Sequence, residues 1–251
     1  MLKHNAPRAA MVCIGDELLS GAVAEKNFNV LAKKLNKIGI KVCEMRIVAD
    51  EMNSIVNTVN ELRDHYDYVF TSGGIGPTHD DITFAALAAA FNVELEFHPA
   101  VEKIILDGHR KKTGNSVLKM AYLPRGCNLI YSKKGATPGI VMENVYVMAG
   151  VCTVFKEMLQ EVAKELKTGE VVISQSLRFF VPESYIADEL SDIQKMFSDV
   201  AIGSYPFVRS KASGTDIIIN GIDKQYIADV VYEIERTIRP IENKYNSPSV
   251  V

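Results

Sequence analysis

Two consecutive aspartates, Asp80 and Asp81, end a stretch that reads Thr71-Ser72-Gly73-Gly74-Ile75-Gly76-Pro77-Thr78-His79-Asp80-Asp81. Glycines let backbone come close to a phosphate, and the N–H groups in a helix's first turn attract its charge. Carboxylates beside a phosphate repel it unless a cation lies between them, so the stretch points to a phosphate with a divalent metal. Gly73, Gly74, Gly76, Pro77 and Thr78 are the candidate phosphate cradle. Asp80 is expected to cap the next helix and Asp81 to face the ligand, because consecutive side chains at a helix start diverge. A bare Gly-Gly-x-Gly is a weak signal; the Pro-Thr and the acid pair strengthen it. His79, a lone histidine on a loop, reads as solvated.

The elements around this stretch alternate. Strands are expected over Ala9–Ile14, Ile40–Val48 and Tyr66–Thr71, with helices over Phe28–Ile38, Met52–Leu62 and Ile82–Phe91. Such alternation predicts an α/β fold, a three-layer α/β/α arrangement on a mainly parallel sheet. Ligands of such sheets sit outside the carboxyl ends of the strands. Asp16, Asp50 and the Asp80-Asp81 pair each follow one of the first three strands, so they are expected to converge; Asp16, Asp80 and Asp81 are the candidate metal ligands. Asp50 also stands where it could cap its helix, and position alone leaves both readings open.

Further along, Val93–Phe97 reads as a short strand, Pro99–Lys112 as an amphipathic helix and Asn115–Ala121 as one or two helical turns. Asn128–Tyr131 and Gly139–Ala149 are apolar strands, the latter able to fold back at Glu143-Asn144, and Thr153–Leu166 is helical. The small-residue loop Gly135-Ala136-Thr137-Pro138-Gly139, beside Lys133 and Lys134, is either a plain connection or a second wall holding a ribose or distal phosphate; Thr137 and Gly139 are its candidates. Asn115 and Lys119 are further polar candidates, each more readily read as a surface residue. Residues 1–168 form the main domain, 169–242 a small C-terminal α+β subdomain and 243–251 a frayed tail. The subdomain runs strand, helix, strand, strand, helix over Val171–Val181, Glu183–Phe197, Val200–Phe207, Thr215–Gly221 and Asp223–Arg239. Tyr205, Phe207 and Arg209 invite a nucleic-acid reading, but core aromatics at strand spacing explain Tyr205 and Phe207 more simply.

Composition excludes several classes. The net charge of −3 gives no case for nucleic acid or an anionic membrane. No apolar run approaches the roughly 20 residues that span a bilayer, and no signal-peptide core follows the polar start. Cys13 and Cys43 fall in apolar strand patterns and read as buried free thiols, which suits a reducing cytoplasm. No Ser-His-Asp arrangement, Walker A loop or zinc spacing is present.

Ile14-Gly15-Asp16-Glu17-Leu18-Leu19-Ser20-Gly21, Asn27, Asp50 and the glycine stretch through Asp81 resemble the molybdopterin-binding (MogA/MoaB-like) domain. The form it is most similar to opens the competence/damage-inducible protein A family and also occurs in eukaryotic FAD synthases. Asn115, Leu123-Pro124-Arg125-Gly126, the Gly135–Gly139 loop and Ala149-Gly150-Val151 continue the match over roughly residues 9–240. The resemblance implies a cytoplasmic three-layer protein that forms a homo-oligomer. It implies that Asp50 and Asp81 assist catalysis, either in magnesium-dependent adenylylation of molybdopterin or in metal-dependent hydrolysis of ADP-ribose or FAD. The cofactor would be Mg, Mn or Co, with molybdopterin as a possible ligand. The deamidase domain of full-length competence proteins has no counterpart in these 251 residues. Three departures stand out: Glu25 replaces an Asp, Gly135-Ala136-Thr137-Pro138-Gly139 replaces Gly-Thr-Ala-Pro-Gly, and Met148-Ala149-Gly150-Val151-Cys152 replaces Leu-Pro-Gly-Val-Pro. The last removes two prolines from the rim of the site and bears on substrate preference.

Overall fold

Six consecutive buried residues in the first strand, β1 (Arg8–Ile14), fix the layering. Side chains of a strand alternate between faces. Ala10, Val12 and Ile14 enter one hydrophobic cluster, and Ala9, Met11 and Cys13 enter the other. A strand buried on both faces must be covered on both. The computed structural model, which describes residues 6–108, 115–133, 137–209 and 212–247, shows how.

The described residues divide into two units, Ala6–Gly169 and those from Glu170 onward. In the first, β1 is followed by a four-residue helix α1 (Asp16–Leu19), α2 (Asn27–Asn36), β2 (Lys41–Val48), α3 (Met52–His65) and β3 (Tyr68–Ser72). Then come α4 (Thr83–Ala90), β4 (Leu95–Phe97), α5 (Pro99–Gly108), a 3-10 helix (Asn115–Ala121), β5 (Tyr122–Pro124) and β6 (Asn128–Ile130). The unit ends with β7 (Gly139–Met142), β8 (Val145–Met148) and α6 (Cys152–Val162). Six strands form one sheet in the order β2-β1-β3-β8-β7-β6. The pairs β1–β2, β1–β3 and β3–β8 are parallel, and the two pairs at the β6 edge are antiparallel. The fold is therefore the expected three-layer, mainly parallel α/β arrangement. Ile55, Val59 and Leu62 of α3 pack on one face with α4 and α5; Leu31 and Leu35 of α2 and Phe155 of α6 pack on the other. Each such aliphatic side chain contributes about 1.5–3 kcal/mol by leaving water.

The hairpin at Glu143-Asn144 forms as expected. Asn144 holds it by donating through Nδ2 to the carbonyls of Arg63 and Tyr66, each at 2.9 Å. Cys43 differs from expectation: it is exposed. It lies on the edge strand β2 where the register against β1 jumps from Ala9↔Val42 to Ala10↔Glu44, so the bulge leaves Cys43 unpaired. β4 and β5 pair antiparallel as a separate ribbon, which the approach to Pro124 gave no reason to expect.

The second unit has the expected order. β9 (Ile173–Phe179), a 3-10 turn (Glu183–Tyr185), α7 (Ala187–Met196), β10 (Ala201–Arg209), β11 (Ala212–Gly221) and α8 (Lys224–Asn246) follow one another. The strands form an antiparallel sheet ordered β10-β11-β9, and α7 and α8 contribute to the core against it. Tyr205 and Phe207 are not core residues. The buried Thr215, Ile217 and Ile219 pair with Pro206, Ser204 and Ile202, which puts the odd-numbered residues of β10 on the opposite face. Tyr205 is 55% exposed there, and Phe207 lies beneath the Arg178 guanidinium. The helix expected to stop at Arg239 continues through Pro240 to Asn246, so Asn243–Asn246 are not a frayed tail. Glu242, buried at the end of the stripe Ile227, Val230, Ile234 and Ile238, accepts from Phe180 N at 2.5 Å and pairs with Arg239. Those contacts outweigh the helix bond that the proline removes. The last four residues lie outside the described ones.

Candidate functional site

The glycine loop leaves β3 because of backbone shapes that only glycine adopts readily. Gly73 has φ +108° and Gly74 φ +67°. A Cβ on Gly73 would press into the Ile14 carbonyl oxygen, and one on Gly74 into Thr83 Oγ1. A Cβ on Gly76 would stand 2.7 Å from Asp81 Oδ2. Thr83 closes the loop: its N–H donates to Gly74 O and its Oγ1 to Gly73 O, both at 3.0 Å. Ile75 anchors the loop in the core, and Pro77 and Thr78 are exposed. Gly73 N donates to Met148 O at 3.2 Å, so this N–H serves the sheet rather than a phosphate, contrary to expectation.

Asp50 joins three of these pieces. Its Oδ2 accepts from Asp16 N at 3.0 Å, tying the segment after β2 to the segment after β1. Its Oδ1 would lie 3.6 Å from a Cβ on Gly74, so it also abuts the glycine loop. It does not cap α3, whose N-cap position is Glu51 and which has no side-chain cap. Burial pushes the Asp50 carboxyl above its ordinary range; the Asp16 N–H opposes this, and the charges of Asp16, Glu17 and Asp80 add to the rise. Of the acids expected to converge, Asp16 and Asp80 act on Asp50, joined by the unexpected Glu17, while Asp81 does not join them.

Asp80 and Asp81 depart from their expected roles. α4 begins at Thr83, with Ile82 at its N-cap position and no side-chain cap, so neither aspartate caps it. Asp81 turns into the loop, where its Oδ2 accepts from Thr78 N at 2.8 Å and from Thr78 Oγ1. Thr78 is thereby committed to shaping the loop. The hydrogen bond from Thr78 and Asp80's own N–H hold the Asp80 carboxyl below its ordinary range, with smaller help from His79 and Lys119. His79 is fully solvated, its side chain 99% exposed. Lys119, from the 3-10 helix, donates to Thr78 O and, at 3.4 Å, to Asp81 O, so it braces the loop through its carbonyls.

The other candidates separate. Asn27 is 4% exposed; its Nδ2 donates to Ser72 Oγ at 2.8 Å and Gly150 O at 2.7 Å, while its buried Oδ1 has no partner. An unmet buried acceptor costs about 1–3 kcal/mol. Glu25, which replaces the usual Asp, accepts from the Asn27 and Phe28 N–H groups and so starts α2. Thr137 Oγ1 contacts Met120 Sδ at 2.9 Å. Gly139 is buried in β7, where a Cβ would strike the Val147 carbonyl, so strand packing accounts for it. Asn115 opens the 3-10 helix, while Lys134, Gly135 and Ala136 lie outside the described residues. Gly150 and Cys152 line the cavity, as the rim segment of the resemblance implies; Glu17 and Ser72 line it too, and sequence reasoning gives neither a role there because their convergence is long-range.

Among the described residues no three His, Cys, Asp or Glu side chains are set to hold a metal ion, and no helix is long and apolar enough to cross a membrane. A cavity of about 240 Å³ abuts the loop between Gly73 and α1. A larger one, about 680 Å³, runs along β6 and α6 past Tyr146 and Glu157, away from the carboxylates. The chemistry argues for the smaller: it alone shares the glycine loop and Glu17 with the acid cluster.

Residues 10–168 match the family described as "Probable molybdopterin binding domain", and residues 171–244 match "FAD synthase, middle domain". A Pyrococcus abyssi protein is 32% identical over 89% of this chain and 94% of its own length. A Caenorhabditis elegans protein named "Probable FAD synthase" is 28% identical over 92% of this chain, which spans 50% of that relative. A crystal structure of the protein CinA, of unknown function, from Thermoplasma acidophilum superposes with a TM-score of 0.60 at 26% identity, covering 64% of this chain and 98% of that one. With the glycine loop, the sheet order and this match over residues 10–168 in agreement, the chain belongs to the molybdopterin-binding (MogA/MoaB-like) family.

Proposed function

We propose that the protein is a divalent-metal-dependent pyrophosphatase acting on ADP-ribose- or FAD-type nucleotide diphosphates. The observation that carries this reading is Asp50, partly buried against the glycine loop and crowded by the charges of Asp16, Glu17 and Asp80. Crowded carboxylates are an all-oxygen donor set that suits a hard cation such as Mg or Mn. Asp16 and Asp80 would hold that cation once drawn in from their described positions, which are not set for a metal; the cation would supply charge neutralisation and polarise the pyrophosphate. Gly74 and Gly76 let the loop fold tightly, with Thr83 Oγ1 and Asp81 Oδ2 filling the space a side chain would take, and Lys119 keeps it in that shape. Asp50, its pKa raised, accepts a proton from the attacking water as water oxygen bonds to phosphorus and the bridging P–O bond breaks. The products are AMP and the second phosphate monoester. The assay is AMP release from ADP-ribose and from FAD with magnesium, manganese or cobalt added in turn. Metal-dependent release names the preferred substrate; no release with any metal contradicts the reading.

The family match favours a second reading, binding or adenylylation of molybdopterin at the same loop. Tight binding of a pterin phosphate without AMP release would select it. Under either reading the partner is a small molecule.

A further inference from the structure

We infer that the larger cavity, between α6 and the edge strand β6, binds a linear aliphatic polyamine. It holds about 680 Å³, within the roughly 300–1,000 Å³ of small-molecule sites. All its lining residues lie between Asn128 and Glu165, and it shares none with the cavity beside the glycine loop. The site therefore stands apart from the proposed hydrolase chemistry. The sheet supplies its floor. Asn128, Val141 and Tyr146 occupy paired positions on β6, β7 and β8, so their side chains share one face of the sheet. Tyr146 is fixed by its neighbours: its ring stacks on Phe70 with centroids 5.1 Å apart and meets Tyr68 edge-on at 6.1 Å. Tyr131, one position past β6 and 55% exposed, also lines the cavity.

The helix supplies the charge. Glu157 and Glu161 lie four apart on α6, and Glu165 follows four further on, in the turn that continues the helix. All three line the cavity, against one cation, Lys133. Residues four apart on a helix stand about 6 Å apart along its axis, and like charges there repel. Two of the acids have protein partners: Ser132 Oγ donates to Glu157 Oε2 at 2.9 Å, and Lys164, which does not line the cavity, pairs with Glu161. Among the described residues Glu165 has no ion pair. Its charge reaches across to Tyr146, whose hydroxyl is held above its ordinary range by burial first, then by Tyr68 and Glu165. Amines joined by three or four methylenes stand about 5–6 Å apart when extended, which is the spacing of the acid row. With successive ammonium groups beside Glu161 and Glu165, the methylenes between them lie over Tyr146 and Val141. A tyrosine face attracts a cation, and an aliphatic stem packs on it well. A single metal ion fits less well, since no three acids among the described residues are set to hold one.

Calorimetric titration of the full chain with spermidine, putrescine, butylamine and magnesium chloride is the test. Spermidine is expected to bind more tightly than putrescine, and butylamine and magnesium at least about tenfold more weakly than spermidine. Glu161→Gln together with Glu165→Gln is expected to weaken spermidine at least about fivefold, and Tyr146→Leu about threefold, in proteins whose circular dichroism is unchanged. Glu94→Gln together with Glu96→Gln removes the same charge from an exposed pair on β4 and is expected to leave the affinity within about twofold. Equal weakening by the two pairs of substitutions would show that spermidine follows net charge alone, and overturns the inference. Failure of spermidine to bind overturns it too, as does its displacement by an equal concentration of magnesium. Binding of a lysine-rich peptide in place of spermidine would make this a protein-docking surface and also overturns it. Sedimentation velocity covers the remaining case: a change of oligomeric state in the Glu161→Gln, Glu165→Gln protein would make the face a contact between copies, again overturning the inference. None of these outcomes depends on AMP release, so the hydrolase reading and this one stand or fall separately.

Discussion

Gly73→Ala should unfold the protein at a markedly lower temperature, for two separable reasons. Gly73 sits at φ +108°, and a side chain in the left-handed region costs about 1–2 kcal/mol. A Cβ there also meets the Ile14 carbonyl oxygen, a backbone atom at the end of β1 that no rotamer change can move. Overpacking of this kind costs about 1–3 kcal/mol. Together they give about 2–5 kcal/mol. At about 3 °C per kcal/mol for a protein of this size, Tm falls by roughly 6–15 °C. Gly21→Ala is the control: Gly21 has φ +75° but open space around its would-be Cβ, so only the conformational part applies. Its Tm should fall by roughly 3–6 °C. Differential scanning calorimetry on the two variants measures both. Equal shifts, or a Gly73→Ala protein within a degree of wild type, would refute the claim that the loop is packed against the end of β1.

Asp50 and Lys119 yield two more predictions. The Asp50 carboxyl is raised above its unfolded value, so it favours the folded state most below that value, and this contribution is lost as pH rises through the folded pKa. Asp50→Asn should therefore gain Tm over wild type as pH rises from about 4 to 7, while losing AMP release; parallel Tm curves would contradict the crowding of Asp50. Lys119→Met removes charge-assisted bonds to Thr78 O and Asp81 O, worth about 1 kcal/mol locally where the amine is partly exposed. Hydrogen exchange should quicken at Thr78–Ile82 and kcat/KM should fall; unchanged exchange would show that Lys119 does not brace the loop.

The parts of the site set by local pattern are legible in the sequence. β1 shows six apolar or small residues in a row, and a strand of that kind belongs in the middle of a covered sheet. The ends of three parallel strands then place Asp16, Asp50 and Asp80 on one edge, whatever their separation along the chain. Roles decided by one long-range bond are not legible. Asp50 has the residue type of a helix cap, but the Asp16 N–H across the strand ends takes its carboxylate. Asp81 reads as facing the ligand when the helix is expected from Ile82; Thr83 instead bonds back to Gly73 and Gly74, and the aspartates fall in a turn ahead of it. Asn27 carries no signal of its buried, half-satisfied amide, since both of its partners lie far along the chain. At Pro240 local propensity says stop, and a buried Glu242 overrules it.

The most direct test of the proposed chemistry is a manganese titration of AMP release from ADP-ribose by the wild-type protein and by Asp50→Asn. The proposal predicts saturable metal dependence in the wild type, loss of activity on chelation, and at least a hundredfold lower rate in a variant whose circular dichroism is unchanged. Release that persists in excess chelator, or that survives the loss of the Asp50 charge, would contradict it.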